Sequence, residues 1–138
     1  MTDAAKLVVH VDGGARGNPG PAAVGVVVSA PDGAVLAEAG ERIGTATNNV
    51  AEYRAVLRGL QLAKSLGARE VEVVGDSELV ARQLTGASKV KHPAMRPLHE
   101  QAIAALRDFD RWRIRTVPRA QNAGADALVN AALDGRPQ

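Results

Sequence analysis

One nearly unbroken apolar run near the start of the chain restricts the folds that it can adopt. Lys6 to Val11 read KLVVHV, and the run stops at the triplet Asp12-Gly13-Gly14. An apolar run without regular polar alternation is typical of a strand that is covered on both faces. We therefore predict a central strand of a sheet, with Asp12 at its carboxyl end and helices packed on the faces of the sheet.

Turn residues and changes of hydrophobic period divide the rest of the chain into elements. Pro31-Asp32-Gly33 is a turn signal between two strand-like runs, so a hairpin is expected there. Apolar residues at helical spacing follow from Ala55 to Ala63, and Gly67 marks the end of that helix. Further strands are predicted at 22–30, 34–43, 70–74 and 111–117, and further helices at 77–85, 98–109 and 123–133.

The order of these elements is three strands, a helix, a strand, two helices, a strand and a helix. A strand that a helix separates from its neighbour usually pairs parallel to it. The predicted fold class is therefore α/β, with a five-stranded mixed sheet, three antiparallel strands then two parallel, flanked by helices. Ligands of such sheets favour the carboxyl ends of the parallel strands, where Asp12 and Asp76 are expected.

Length and composition limit the domain organisation and the compartment. The chain has 138 residues, 46% of them apolar, which suits a single domain, predicted to span residues 1–138. It has no cysteine for a disulfide framework and no apolar run typical of a signal peptide or membrane span, so a cytoplasmic protein is predicted. The net charge of +2 is nearly balanced, so the case for a polyanionic partner has to rest on where the basic residues lie.

Four carboxylates stand far apart in the sequence, yet each lies where an apolar element meets a turn or a helix start: Asp12, Glu52, Asp76 and Asp126. Taken singly, each has an ordinary explanation. Asp12 suits a turn, and Asp76 and Asp126 suit the dipole of a helix start. Glu52 has capping-box spacing from Asn49. Taken together they predict one acidic cluster, which a fold keeps only if a cation neutralises it or a proton is shared.

An acidic cluster of this kind favours hard divalent ions. Ligands that are all oxygen select Mg²⁺ or Mn²⁺ rather than zinc, and the chain has no cysteine to argue otherwise. A site with two ions roughly 3.5–4 Å apart activates water at one ion and stabilises a leaving oxygen at the other. Phosphoryl transfer is therefore the chemistry that the four residues predict.

Motifs around the four carboxylates give a more specific interpretation. In chain order they are VDGGARGNPGPAAVG at 11–25, TNNVAEYRA at 47–55, VVGDSELV at 73–80 and VPRAQNAGADALVNAAL at 117–133. Over nearly its whole length the sequence resembles type 1 ribonuclease H, the bacterial ribonuclease HI family, in the form that lacks the basic protrusion. A single Asp-Gly pair would carry little weight, but these motifs in this order are hard to reach by chance.

This resemblance implies the ribonuclease H fold and endonucleolytic hydrolysis of the RNA strand of RNA–DNA hybrids, leaving 5′-phosphate and 3′-hydroxyl ends. It implies two Mg²⁺ ions per site, with Mn²⁺ able to replace them. Their ligands, which are also the catalytic residues, would be Asp12, Glu52, Asp76 and Asp126. The hybrid is the one partner implied, for a monomer without membrane contact or an obligate protein partner.

Four further residues match family positions that contact the substrate: Asn18, Thr47, Asn48 and Asn49. Short polar groups at such positions meet sugar hydroxyls and phosphates in the shallow minor groove of the hybrid. Turn formation and helix capping are the alternative roles for these residues. For Asn49, helix capping is the favoured interpretation.

Two departures from the family pattern concern substrate contacts. The segment 86–97 is brief and lacks aromatic residues, where relatives with a basic protrusion carry an insertion rich in Lys and Trp. Fewer phosphate contacts and a lower hybrid affinity are expected. The loop before the last helix offers Arg119 where many relatives place a mobile histidine. Arginine cannot act as an acid near neutral pH but binds phosphate through two hydrogen bonds, so Arg119 is assigned to phosphate or product contact.

Other functions stay open at this point. An exonuclease of the same broad fold would carry Asp-x-Glu on its first strand, whereas Gly14 stands at the Glu position here. A nucleotide-binding loop would need a dinucleotide fingerprint or a phosphate-binding lysine, and neither is present. A non-catalytic nucleic-acid-binding module of the same fold is the main alternative, although no carboxylate is missing. The chain also suits the nuclease domain of a longer bifunctional protein.

Overall fold

Within residues 6–135, which the computed structural model describes, five strands form one sheet and four α-helices pack against it. The strands are β1 (Lys6–Ala15), β2 (Gly20–Ser29), β3 (Val35–Ala46), β4 (Glu70–Gly75) and β5 (Arg111–Thr116). The helices are α1 (Asn48–Ser65), α2 (Glu78–Leu84), α3 (Arg96–Arg107) and α4 (Ala123–Asp134), and a 3-10 turn at Arg119–Asn122 precedes α4. None of the helices in this range is long and apolar enough to span a membrane. The ends of the domain predicted at 1–138 lie outside the described residues.

The strand order is β3-β2-β1-β4-β5, which places β1 in the middle of the sheet. β1 pairs antiparallel with β2, and β2 pairs antiparallel with β3 through the predicted hairpin. β1 and β5 both pair parallel with β4, as expected for strands that are connected through helices. The predicted five-stranded mixed sheet is therefore confirmed.

α1 lies on the face of the sheet that carries the main core. Leu7, Val9 and Val11 of β1 are fully buried in one cluster with residues of α1. Gly59 allows the helix to come close, because a Cβ at this position would lie 2.6 Å from Cγ1 of Val9. The middle of α1 is thereby held directly over the middle strand.

α4 covers the opposite face, over β1, β2 and β3. Its buried residues Val129 and Ala132 form a small cluster with Ala23 of β2. The closest approach is at Gly25 of β2, where a Cβ would lie 2.1 Å from the carbonyl oxygen of Ala125. Helices therefore cover both faces of the middle strand, as the sequence predicts.

β1 runs on to Ala15, past the point where the sequence predicts its end. The reason is that β1 stays paired with β2 for several residues after its pairing with β4 has ended. Parallel pairing with β4 stops at His10, but antiparallel pairing with β2 continues to Ala15. The prediction that Asp12 caps the strand is therefore wrong: Asp12 lies inside β1, just beyond the last residue paired with β4.

The connection between α2 and α3 is short, as predicted, and its backbone is held by two side chains. Nε2 of Gln83 donates to the carbonyl of Lys89 at 3.4 Å, and Nε of Arg96 donates to the carbonyl of Val90 at 3.3 Å. α3 begins at Arg96 rather than at the predicted residue 98, since the first turn of a helix accommodates a proline.

Candidate active site

Asp12 and Glu52 meet at the contact between β1 and α1. Both are buried, with 3% and 7% of their surfaces exposed. The N–H of Gly13 donates a 2.9 Å hydrogen bond to Oε1 of Glu52, which ties this carboxylate to β1. A Cβ at Gly13 would lie 2.2 Å from the carbonyl carbon of Ala51. Only glycine therefore lets the first turn of α1 approach the strand so closely.

Polar residues on both sides of the junction between β1 and α1 fix the start of the helix. Thr47 is the N-cap, and its Oγ1 accepts a 3.2 Å hydrogen bond from the N–H of Val50. Asn18 Oδ1 accepts from the N–H of Asn48 at 3.0 Å, and Asn48 Oδ1 accepts from the N–H of Ala15 at 2.9 Å. Thr47, Asn18 and Asn48, three of the residues predicted to contact substrate, therefore build the junction beside the buried carboxylates.

The capping interpretations of Glu52 and Asn49 are wrong. Asn49 lies inside α1, because the helix is capped by Thr47. The Glu52 carboxylate accepts its backbone hydrogen bond from Gly13 of β1 and not from the start of its own helix. Residue spacing indicates which residues share a helix, but it does not reveal that a neighbouring strand supplies a donor.

Asp76 follows β4 and completes a compact group of three carboxylates. One oxygen from each of Asp12, Glu52 and Asp76 lies within 4.8 Å of the other two. Oδ2 of Asp76 is buried and accepts no hydrogen bond from the described residues, and Nε of Arg119 lies 3.9 Å away. A buried carboxylate oxygen without a donor is costly unless a cation reaches it.

Asp126 approaches the group from the first turn of α4. It lines the same cavity of about 330 Å³ as the three other carboxylates, and its hydrogen bonding and charge act on Asp12. Its Oδ2 lies 3.4 Å from Nδ2 of Asn130, one turn further along the helix. The structure therefore brings all four predicted carboxylates to one cavity, with Asp126 outside the tight group of three.

Asn122 fixes the start of α4 against β1. Its side chain is fully buried, and Nδ2 donates a 2.8 Å hydrogen bond to the carbonyl of Val11, the residue before Asp12. Asn122 occupies the N-cap position of α4, as its place before Ala123 in the sequence indicates, but its side chain makes no capping hydrogen bond to the helix. At the other end of the helix, Nε of Arg42 donates to the carbonyl of Ala132 at 2.7 Å. No local signal in the sequence distinguishes this long-range contact of Asn122 from an ordinary cap.

Burial and mutual repulsion raise the pKa of two of the carboxyls. Burial is the largest cause for Asp12, whose pKa rises to about 7, with further contributions from Asp76 and Asp126. Burial also raises the pKa of Glu52, to about 9, against the lowering effect of the hydrogen bond from Gly13. Crowded carboxylates, ligands that are all oxygen and one oxygen without a donor together fit hard divalent ions such as Mg²⁺ or Mn²⁺.

The residues predicted to contact substrate are placed differently from one another. Asn48 and Arg119 line the cavity, whereas Asn18 and Thr47 lie outside its wall. Arg119 is 78% exposed, on the 3-10 turn that precedes α4. Arg16 also lines the cavity, and its side chain forms an ion pair with the end of α4. Arg16 is not among the residues predicted from the sequence, although its place in the motif, two residues before Asn18, was an available signal.

A sheet of this order, with carboxylates from β1, α1, α4 and the end of β4 at one cavity, defines the ribonuclease H-like class of folds. Residues 10–132 match the family model described as reverse transcriptase-like. The chain belongs to the type 1 ribonuclease H family, as similar solved structures show. A crystal structure of RNase H1 from Halobacterium salinarum has a TM-score of 0.92 and 48% identity, covering 94% of this chain and 98% of that one.

Two further solved structures are similar. The N-terminal RNase H domain of a Mycobacterium tuberculosis protein has a TM-score of 0.91 and 52% identity, covering 94% of this chain and 99% of that one. LC11-RNase H1 in complex with an RNA/DNA hybrid has a TM-score of 0.89 and 41% identity, covering 94% of this chain and 97% of that one.

Curated relatives differ in length from this chain. A protein of Mycobacterium tuberculosis described as bifunctional is 51% identical over 134 residues, covering 96% of this chain but only 37% of that protein. Ribonuclease HI of Halobacterium salinarum is 50% identical over 129 residues, covering 94% of this chain and 65% of that protein. The chain therefore spans less than two thirds of the length of either relative.

Proposed function

We propose that this chain is an endoribonuclease that hydrolyses the RNA strand of RNA–DNA hybrids by a two-metal-ion mechanism, leaving 5′-phosphate and 3′-hydroxyl ends. The observation that carries the proposal is the convergence of Asp12, Glu52 and Asp76, whose carboxylate oxygens lie within 4.8 Å of one another. The complex of the similar LC11-RNase H1 with an RNA/DNA hybrid supports the same substrate class here.

The proposed ligands of two Mg²⁺ ions, or of Mn²⁺ in their place, are also the proposed catalytic residues: Asp12, Glu52, Asp76 and Asp126. Bound ions of this kind supply Lewis acidity at the phosphate and lower the pKa of water. The buried Oδ2 of Asp76, which lacks a hydrogen-bond donor among the described residues, supports its assignment as a ligand. The hydrogen bond from Gly13 holds the Glu52 side chain in place for the same role.

The proposed substrate contacts are Asn18, Thr47, Asn48 and Arg119. Oδ1 of Asn48 is bonded to the N–H of Ala15, so its Nδ2 is the group that would donate to a sugar or phosphate oxygen of the hybrid. The exposed guanidinium of Arg119 would bind a phosphate through two N–H groups. Asn18 lies in the loop between β1 and β2, and Thr47 is the N-cap of α1; both stay proposed contacts at the rim of the cavity.

The proposed working form is a cytoplasmic monomer that acts on the hybrid without a membrane or an obligate protein partner. One observation favours a second candidate, the nuclease part of a longer bifunctional protein, because the chain covers 37% of its mycobacterial relative. A non-catalytic module is not favoured, because loss of catalysis usually removes a carboxylate and all four are retained.

Cleavage assays with labelled RNA–DNA hybrid, double-stranded RNA and double-stranded DNA test the proposal, each with Mg²⁺ and with a chelator. We expect ion-dependent cleavage of the hybrid alone, with 3′-hydroxyl ends. Asp76→Asn should abolish cleavage, whereas Asp110→Asn, a matched change in an exposed ion pair with Arg69, should leave it intact. If the unaltered protein binds the hybrid with Mg²⁺ present and does not cut it, the chain is a binding module.

A further inference from the structure

A row of arginine side chains follows β5 towards the carboxylate cavity. Arg111, Arg113 and Arg115 occupy alternate positions of the strand and are exposed, whereas Trp112 and Ile114 between them pack against the core. Successive side chains of a strand point to opposite faces, so the three arginines share one face of the sheet at a spacing of about 6.6 Å.

The same face of the sheet carries Asp12. In the register of the sheet, Arg115 aligns through β4 with His10 of β1, and His10 and Asp12 are two residues apart. Arg115 therefore lies level with His10 across the sheet, and Asp12 is the next residue of β1 whose side chain points to the same face. The chain then leaves the sheet and carries Arg119 to within 3.9 Å of Asp76. The row of arginines thus continues to the cavity itself.

The charge of this row is only partly neutralised. Among the described residues, Glu72 of β4 forms ion pairs with it, with Oε2 at 3.4 Å from Nε of Arg113 and 3.2 Å from Nε of Arg115. The Glu72 side chain is 12% exposed, beneath two arginine side chains that are 64% and 45% exposed. One carboxylate shared by two guanidinium groups leaves an excess positive charge that faces solvent.

A phosphate backbone is the partner that fits this arrangement. Arg113 and Arg115 contact Glu72 through Nε, so their Nη groups can bind phosphate oxygens while the ion pairs stay intact. Guanidinium groups match phosphate through paired hydrogen bonds. The segment 86–97 lacks an aromatic insertion and offers Lys89 and Lys91 as other exposed cations, while Nε of Arg96 is already bonded to the carbonyl of Val90. The excess charge on β5 therefore lies where a hybrid at the carboxylate cavity would need it.

We propose that Arg113 and Arg115, continued by Arg119, form a phosphate-binding track for the hybrid backbone beyond the scissile phosphate, on the Asp76 side of the cavity. The inference rests on the proposed function, because a hybrid has to occupy the cavity for the track to bind it. It adds a second contact surface on β5, separate from the junction of Asn18 and Asn48.

Hybrid binding as a function of salt concentration tests the track. The parent is Asp12→Asn, which is expected not to cut. Adding Arg113→Gln and Arg115→Gln should reduce the slope of log Kd against log salt concentration by about 0.9 for each phosphate that the protein no longer binds. Glu72→Gln should have the opposite effect, because it releases both arginines. Arg107→Gln, an exposed change on α3 outside the cavity, is the matched control and should leave the slope unchanged.

Binding to hybrids of different lengths distinguishes loss of the phosphate-binding track from a general folding defect. On hybrids too short to extend from the cavity to β5, the double variant and its parent should bind equally, whereas a folding defect would weaken binding at every length. In the otherwise unaltered protein, the two substitutions should raise KM for long hybrids and leave kcat unchanged. Equal salt slopes for the double variant and its parent on long hybrids would overturn the track. If the unaltered protein neither binds nor cuts a hybrid, the proposed function fails together with this inference.

Discussion

The cost of buried negative charge dominates the chemistry of single residues at the cavity. Asp12 is buried beside Asp76 and Asp126, which raises its pKa from the ordinary value of 3.8 to about 7. A carboxyl whose pKa is higher in the folded than in the unfolded state binds more protons when folded. The stability that this carboxyl contributes is therefore fully present below its unfolded pKa and is lost as the pH rises through the folded pKa.

Asp12→Asn should remove this dependence. Without divalent ions, we expect the variant to exceed the parent in free energy of unfolding by on the order of 1–3 kcal/mol at about pH 8, and by less at about pH 5. Chemical denaturation with chelator at the two pH values measures the difference. Asp32→Asn is the control, since Asn keeps the acceptor for the N–H of Ala34 in an exposed turn. An equal gain at both pH values would contradict the assigned pKa of Asp12.

At the scale of elements, the position of Asp126 depends on how closely α4 approaches β2. A Cβ at Gly25 would lie 2.1 Å from the carbonyl oxygen of Ala125, so Gly25→Ala should displace the helix. We expect a loss of stability of about 1–3 kcal/mol and a large loss of cleavage, because Asp126 moves with α4. Denaturation and initial rates measure both effects.

Gly124→Ala provides a matched control for Gly25→Ala at the same packing surface. A Cβ at Gly124 would lie 3.6 Å from Cγ2 of Val27, which is an ordinary contact distance. Alanine also has the higher helix propensity, so this variant should be neutral or up to about 1 kcal/mol more stable, with normal cleavage. Similar losses in both variants would show that the close approach at Gly25 is not the cause.

Asn122 sets the spacing between α4 and β1. Asn122→Ala removes the hydrogen bond to the carbonyl of Val11 and leaves a buried acceptor without a donor, which should cost about 1–3 kcal/mol. Because Val11 precedes Asp12, we also expect a higher Mg²⁺ concentration for half-maximal cleavage. Arg42→Ala loosens the far end of α4 instead, and should reduce stability with little change in the Mg²⁺ requirement. The same Mg²⁺ requirement in Asn122→Ala as in the parent would mean that Asn122 serves folding alone.

Elements whose signals are local were predicted well from the sequence. The strand predicted at 70–74 is β4 (Glu70–Gly75), and the helix predicted from Ser77 is α2, with Ser77 as its N-cap. The sequence is a poorer guide where contacts with residues distant in the sequence determine the local structure. Asp12 lies inside β1 because β2 pairs beyond it, and Asn122 turns from its own helix to Val11. The motifs identify the four carboxylates. The distances between these carboxylates depend on how closely helices approach strands, which residue type alone does not specify.

At the scale of the whole molecule, cationic side chains surround an acidic centre. The four carboxylates gather in one cavity, Arg16 and Arg119 line its wall, and Arg113 and Arg115 are exposed on β5. A polyanion therefore encounters attraction along the rim and repulsion at the centre until cations occupy the acidic group. The net charge of +2 does not show this pattern, because the pattern depends on where the fold places the charged residues.

Binding of divalent ions should therefore stabilise the whole fold. The carboxylates converge only in the folded state, so Mg²⁺ should raise the melting temperature, by the equivalent of about 2.7 kcal/mol at a concentration 100 times Kd. The rise should be larger at about pH 8 than at about pH 5, because the raised pKa values of Asp12 and Glu52 make protons compete with the ion. Thermal unfolding with MgCl₂, and with KCl at equal ionic strength, measures it. Asp12→Asn should lose most of the rise and Asp110→Asn none, and an equal rise in both variants would show that the ion acts elsewhere than at the carboxylate cavity.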